Sequence, residues 1–184
     1  MTDRAIGVVG AGTMGLSIAQ LVAQSGSEVV IRDIDEDILN GASSEIETGL
    51  HEAAERGYLE DADSVFDRVH TTTDLDTLAA EANFVIEAAT EDIDVKQAIF
   101  EELDDSFDDD VVLGTNTSAL SITEIASAVD NPERVVGIHF FNPPTKMELV
   151  ELISGYKTDD GMLEEARQFV TEIGGGAEVL TRKR

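Results

Sequence analysis

The 184-residue chain contains no cysteine and no tryptophan, only two tyrosines, three prolines and four lysines. Without cysteine there are no disulfides, no thiolate catalysis and no Cys-ligated zinc, and a reducing interior compartment fits. Apolar runs are short. None approaches the roughly 20 residues that span a bilayer. The first residues, MTDRAIGVVGAG, lack the basic start, apolar stretch and cleavage site of a secretory signal, so a cytoplasmic location is the expectation. Positive charge is scarce: Lys plus Arg number 12 against 39 Asp plus Glu, a formal net charge of −27. Such a field repels phosphate backbones and anionic lipid, which argues against nucleic-acid and membrane partners. The acids are spread along the chain rather than gathered in a tail. Self-repulsion at this density destabilises a compact state until salt screens it, and the charge is read as adaptation to a salty cytoplasm; the blander alternative is an ordinary acidic protein.

What remains is the composition of one globular domain, residues 1–184, with 42% hydrophobic and 28% charged residues. Short apolar runs predict strands at 5–9, 28–31, 69–71, 84–86, 111–113, 135–140, 148–153 and 177–180. Helical spacing of apolar residues predicts helices at 14–23, 35–56, 92–103, 122–129 and 163–173. Alternating strands and helices imply an α/β fold, a doubly wound and mainly parallel sheet with helices on both faces.

Between the first strand and the first helix, Gly10-Ala11-Gly12-Thr13-Met14-Gly15 fits G-x-G-x-x-G. A lone match is weak, but here a strand precedes it and a helix follows. Gly10 permits the tight turn, Gly12 lets backbone approach a pyrophosphate, and Gly15 lets the helix pack on the strand. The N–H groups of Thr13, Met14 and the rest of the helix start then hold the anion without any lysine. Asp33 closes the second strand, 18 residues beyond Gly15. A carboxylate there accepts ribose hydroxyls and repels a 2′-phosphate, which favours NAD over NADP.

Ligands in such sheets sit beyond the carboxyl ends of the strands. The loops at those ends carry Glu87 to Glu91 with Lys96 further on, then Gly114 to Ser118, then His139 to Pro144. Asn116 and Ser118 are candidates for ligand contact or for turn and cap roles. His139 is a candidate base or a core histidine. Glu151 lies in the apolar run LVELI, where a carboxylate is costly unless paired, and His139 is its candidate partner. A carboxylate on one imidazole nitrogen fixes the tautomer and leaves the other nitrogen to take a proton from an alcohol. The histidines at 51, 70 and 139 show no metal-ligand spacing, so no metal is expected.

The segments GAGTMG, VIEAATEDIDVK, NTSALSI and GIHFFNPPTKMELVELI, in this order, resemble the Rossmann-type NAD-binding domain of L-3-hydroxyacyl-CoA dehydrogenase. The family oxidises a 3-hydroxyacyl-CoA to the 3-oxoacyl-CoA with NAD in fatty-acid β-oxidation. The resemblance implies that His139 is the catalytic base and Glu151 its orienting carboxylate. It implies that Ser118 bonds the substrate 3-oxygen and that Asn142 lines the nicotinamide and substrate. Gly10, Gly12, Thr13, Met14, Gly15 and Asp33 would hold the adenosine diphosphate half of NAD. Glu91, Lys96, Asn116, Ser118 and Asn142 would contact its nicotinamide half. Arg56, late in the long helix, sits where the family carries a lysine for CoA, while Gly49 replaces a serine that touches CoA. The family continues into a helical C-terminal dimerisation domain that this sequence does not include. The implied partners are therefore an acyl-CoA and a separate helical domain or a second copy of the chain. The alternative is a non-catalytic NAD-binding module. A dehydrogenase of free β-hydroxy acids would share the glycine loop but leave HFFNP unexplained.

Overall fold

The computed structural model describes residues 5–147, 149–173 and 178–183. In chain order its elements are β1 (Ala5–Val9), α1 (Thr13–Gln24), β2 (Val29–Arg32), α2 (Glu36–Glu55), α3 (Ala62–Phe66), β3 (Val69–Thr72), α4 (Leu75–Glu81) and β4 (Ala82–Glu87). There follow α5 (Ile93–Ser106), β5 (Val112–Thr115), α6 (Ile122–Ile125), β6 (Val135–Phe140), β7 (Leu149–Ser154), α7 (Asp160–Ile173) and β8 (Glu178–Lys183). The strands form one sheet in the order β3-β2-β1-β4-β5-β6-β7-β8. The first six are parallel, β7 runs antiparallel to β6, and β8 is parallel to β7. The order reverses between β1 and β4, which opens a crevice at their carboxyl ends.

Strand residues alternate between two cores, so both faces are covered. Ile31, Ile86 and Val112 pack with Ile18, Ile46 and Leu50 of α1 and α2, and Phe84 stacks on Phe169 of α7 at 4.3 Å between ring centres. Their neighbours Val30, Val85 and Leu113 face the other way, onto Leu78 of α4, Phe100 and Leu103 of α5 and Ile122 of α6. Arg134 is fully buried before β6, donating to the Asp104 carboxylate at 2.7 Å and to the carbonyl oxygens of Phe107 and Asp108. Burial alone would push the Asp104 carboxyl up. The hydrogen bonds from Arg134 and from the Asp130 backbone outweigh it and hold Asp104 below the ordinary aspartate range.

Differences from the pattern reading lie in the short elements. Helices α3 and α4 were not foreseen, because five and seven residues are too few for a helical period to show. The helix expected over 122–129 is α-helical only to Ile125 and continues as a 3₁₀ turn over Ala126–Ala128. The expected strand over 148–153 is β7; Glu148 lies outside the described residues, as do Gly174, Gly175, Gly176 and Ala177.

Candidate active site

The glycine turn is built by steric necessity. Gly10 has φ +100°, and a Cβ there would lie 2.8 Å from the backbone nitrogen of Ala89. A Cβ on Gly15 would lie 1.8 Å from the Gly10 carbonyl oxygen. Gly12 is different: no atom lies within 4 Å of its Cβ direction, so its side is open to an incoming group. Helix α1 starts here with no side-chain cap and no acid in its first turn. By contrast α2, α3, α4, α5 and α6 are capped by Asp35, Asp61, Asp74, Asp92 and Ser121. In so acidic a chain, the glycine turn keeps its N–H groups and the helix's partial positive charge for an anion. Thr13 and Met14 form the first residues of that helix, with Thr13 exposed and Met14 half-buried.

Asp33 follows β2, with one carboxylate oxygen accepting from Ala11 N at 2.8 Å and the other from Asp35 N at 3.2 Å. The turn thus fixes the carboxylate's orientation. Asp33 and Gly10 line a cavity of about 500 Å³ whose opposite wall is Val95, Ala98 and Ile99 of α5. An anchored carboxylate beside an apolar slot suits a ribose and a flat base, so the cradle fits the adenosine half of NAD.

On the other side of the crevice the site is made of side chains. His139 and Glu151 stand directly opposite one another in the β6–β7 pair. Nδ1 of His139 lies 3.0 Å from Oε2 of Glu151, and the Phe141 ring lies against the imidazole at 4.6 Å. An ionised carboxylate can only accept, so in a neutral imidazole Nδ1 carries the proton and Nε2 the lone pair. Oε1 of Glu151 meets Nη2 of Arg182 on β8 at 2.7 Å. Asn142 is exposed just beyond β6, before a cis bond to Pro143.

Glu91 organises the neighbouring loop. Its Oε1 accepts from Thr117 Oγ1 at 2.6 Å, from Ser118 N at 3.0 Å and from Ser118 Oγ at 3.2 Å. Burial would raise the Glu91 pKa. The bonds from Thr117, Ser118 and Ala119, with the charge of Lys96, outweigh burial and leave it below the ordinary glutamate range. Asn116 Oδ1 accepts from Phe140 N at 3.0 Å, tying this loop to the end of β6.

The two cationic candidates are Lys96 and Arg56. Lys96, expected against the nicotinamide half, is fully buried and ion-paired with Glu87 at 2.7 Å. An ammonium buried inside α5 needs such a carboxylate beside it. Arg56 caps the C-terminal end of α2. It is exposed on a cavity of about 750 Å³ with Gly49, Tyr58, Thr145 and Lys146, and pairs with Glu52 at 3.3 Å. At Gly49 an added Cβ would meet only the flexible Gln20 side chain, at 3.4 Å. Sequence reasoning missed Glu87, Lys146 and Arg182. Glu87 had a usable signal, a carboxylate in the apolar run FVIEAA like Glu151 in LVELI. Lys146 and Arg182 had none, since their neighbours are distant in sequence.

Comparison with known proteins identifies the family. Residues 5–183 match the family described as 3-hydroxyacyl-CoA dehydrogenase, NAD binding domain. The chain is 42% identical over 171 residues to 3-hydroxyadipyl-CoA dehydrogenase of Escherichia coli, covering 92% of this chain and 36% of that protein. It is 40% identical over 171 residues to 3-hydroxybutyryl-CoA dehydrogenase of Bradyrhizobium diazoefficiens, covering 92% and 58%. The crystal structure of (S)-3-hydroxybutyryl-CoA dehydrogenase from Ralstonia eutropha superposes with a TM-score of 0.93 at 36% identity, over 98% of this chain and 64% of that one. The chain thus spans about a third to three-fifths of the length of these relatives. With the glycine cradle, the anchored Asp33 and the His139–Glu151 pair in one crevice, the chain belongs to the 3-hydroxyacyl-CoA dehydrogenase family, as its NAD binding domain.

Proposed function

We propose that this chain is the cofactor-holding and base-bearing part of an NAD-dependent 3-hydroxyacyl-CoA dehydrogenase, oxidising a 3-hydroxyacyl-CoA to the 3-oxoacyl-CoA. The observation that carries it is the His139 Nδ1 to Glu151 distance of 3.0 Å, beside a dinucleotide cradle. Glu151 holds the imidazole so that Nε2 can take the substrate's hydroxyl proton. When bound, NAD supplies the acceptor for the hydride leaving the same carbon. Ser118 bonds the oxygen on that carbon, and Asn142 lines the nicotinamide and substrate. Asp33 selects NAD over NADP. Arg56 and Lys146 offer two cations in the large cavity to the phosphates of CoA, a use that stands out in a chain with so few. Glu91 sets Ser118, and Asn116 sets the end of β6.

The substrate cleft is completed by a helical domain or a second copy of the chain; the chain matches only part of its relatives' length. The excess of acids supports work in a salty cytoplasm, with a melting temperature that rises toward molar KCl. A second reading is an NAD-binding module that turns over only once a helical domain covers it.

The test is NADH fluorescence in molar KCl, followed after adding acetoacetyl-CoA. Binding of NADH, then decay that requires acetoacetyl-CoA and His139, is the expected result. Binding without decay moves the activity to the assembled form. No NADH binding in any salt overturns the proposal.

A further inference from the structure

Arg32 ends β2, one residue before Asp33. Side chains alternate along a strand, so Arg32 takes the same side as Val30, the side that α4 and α5 cover. Its side chain is 13% exposed. A guanidinium keeps its charge at any working pH and has five N–H groups to satisfy. Among the described residues, Nε is buried with no hydrogen-bond partner. The carboxylate paired with this guanidinium, on Glu102 of α5, stands 4.0 Å from Nη2, too far for a hydrogen bond. Leaving such a group short of partners is costly. It is also a poor use of one of the few cations in this chain.

The cavity of about 500 Å³ explains the arrangement. Arg32 and Glu102 both line it, together with Asp33. Two of its apolar lining residues, Ile34 and Val95, are exposed and leave surface for a flat ring to cover. Asp33, Asp94 and Glu102 give it three carboxylates against one cation, which repels a phosphate. The ligand group that suits this cavity is therefore flat and uncharged, with an acceptor for Arg32 beside a donor for Glu102. Adenine has that edge: its 6-amino group donates, and the ring nitrogens on either side of it, N1 and N7, accept.

We infer that Arg32 and Glu102 select the base of the dinucleotide, Arg32 donating to a ring nitrogen of adenine and Glu102 accepting from the 6-amino group. Glu102 extends from a mostly exposed position to do so. The inference rests on reading this cavity as the adenosine site and adds the choice of base to it. Asp33 answers for the ribose, the glycine turn for the pyrophosphate, and this pair for the ring.

The test compares NADH with its hypoxanthine analogue, in which an oxygen that can only accept replaces the 6-amino group. Both are titrated by nicotinamide fluorescence in molar KCl. The unmodified chain should bind NADH about tenfold more tightly, because the analogue sets its oxygen against the Glu102 carboxylate. Arg32→Met keeps the length of the side chain and removes its donors. It should weaken NADH about tenfold and leave the two dinucleotides within about threefold of one another, with no fall in melting temperature, since a buried cation short of partners is lost. Glu102→Gln lies on the surface side and gives an amide that can donate to the oxygen. It should tighten the analogue about threefold, and it decides the matter if Arg32→Met does not fold. Equal binding of both dinucleotides by the unmodified chain overturns the inference, as does discrimination that survives both substitutions. So does an Arg32→Met variant that melts lower and binds both equally weakly, which would make Arg32 a brace for α5. If the unmodified chain does not bind NADH, the cradle itself has been misread, and the inference falls with it.

Discussion

The two walls of the crevice are made by different means. At the turn from β1 to α1 the ligand-facing groups are backbone, and shape comes from what is missing: no Cβ at Gly10 or Gly15, no cap on α1. At the ends of β4 to β7 the groups are side chains, held by charge. Glu91 gathers Thr117 and Ser118, Glu87 and Lys96 brace Asn116, and Glu151 bridges His139 and Arg182. Backbone recognition needs no cation, which suits a chain with 12 basic residues among 39 acids. Proton transfer needs a side chain, and on the proposed reading His139 supplies it at the second wall. The first wall should therefore answer to changes of volume, and the second to changes of charge.

The largest effect that separates the walls comes from His139→Gln. It keeps a polar side chain of similar size but removes the base. We expect kcat to fall about 10²- to 10⁴-fold, with the Kd for NADH, by fluorescence titration, within about threefold. A parallel loss of NADH binding would show that the walls are not independent.

The volume wall is tested by two glycines that differ only in surroundings. In Gly15→Ala the new methyl meets backbone that cannot give, at 1.8 Å. The cost is about 3 kcal/mol, read as a melting temperature lower by about 6–12 °C, with NADH binding lost. In Gly12→Ala the methyl meets nothing within 4 Å and φ is an ordinary −70°. Melting should be unchanged, and NADH should bind about tenfold more weakly, because the methyl stands where a pyrophosphate approaches. Equal melting shifts in both variants would break the distinction.

The first wall was far more legible in the sequence than the second, for a physical reason. A backbone site is local: Gly10 to Gly15 form one turn, and the strand and helix around it show as periodic patterns. Asp33 is found by its place at the end of β2. The charged wall is assembled from separate loops. His139 and Glu151 could be paired because an apolar run makes a carboxylate conspicuous and because β6 and β7 are near in sequence. Glu91 bonding Thr117, or Lys96 reaching Asn116, requires the parallel register of β4 and β5, which periodicity does not state. The ion pair made by Lys96 was hidden for the same reason. Its partner Glu87 is nine residues back and reached only by the turn into α5. The antiparallel return of β7 was likewise beyond reach, since the strand run reads the same in either direction.

Acid sharpens the picture of the charged wall. Because the Glu91 pKa is lowered by folding, its carboxylate favours the native state above the ordinary glutamate value of 4.5, and that contribution is lost as pH falls toward the lowered value. Glu91 is exposed, so solvent screening keeps its worth under about 1 kcal/mol. In thermal melts Glu91→Gln should lie below the unmodified chain well above the ordinary glutamate range, and the gap should close as pH falls below that range. A gap that persists in acid would mean that Thr117 and Ser118 are held by shape.

The smallest effect bears on how far the charged wall extends. Arg182 reaches Glu151 at 2.7 Å, but its side chain is 51% exposed while Glu151 is 9% exposed. Fixing a long exposed arm costs rotamer entropy, and water competes for the guanidinium. The pair should contribute no more than about 0.5 kcal/mol. Oε2 of Glu151 keeps its bond to His139 in either case. Arg182→Gln should then change kcat by less than about threefold, and the difference should shrink further as KCl screens the pair. A tenfold loss that survives molar KCl would give β8 a place in the site. The carboxylate behind His139 would then be aimed from both neighbouring strands, and the edge of the sheet would belong to the chemistry as fully as its centre does.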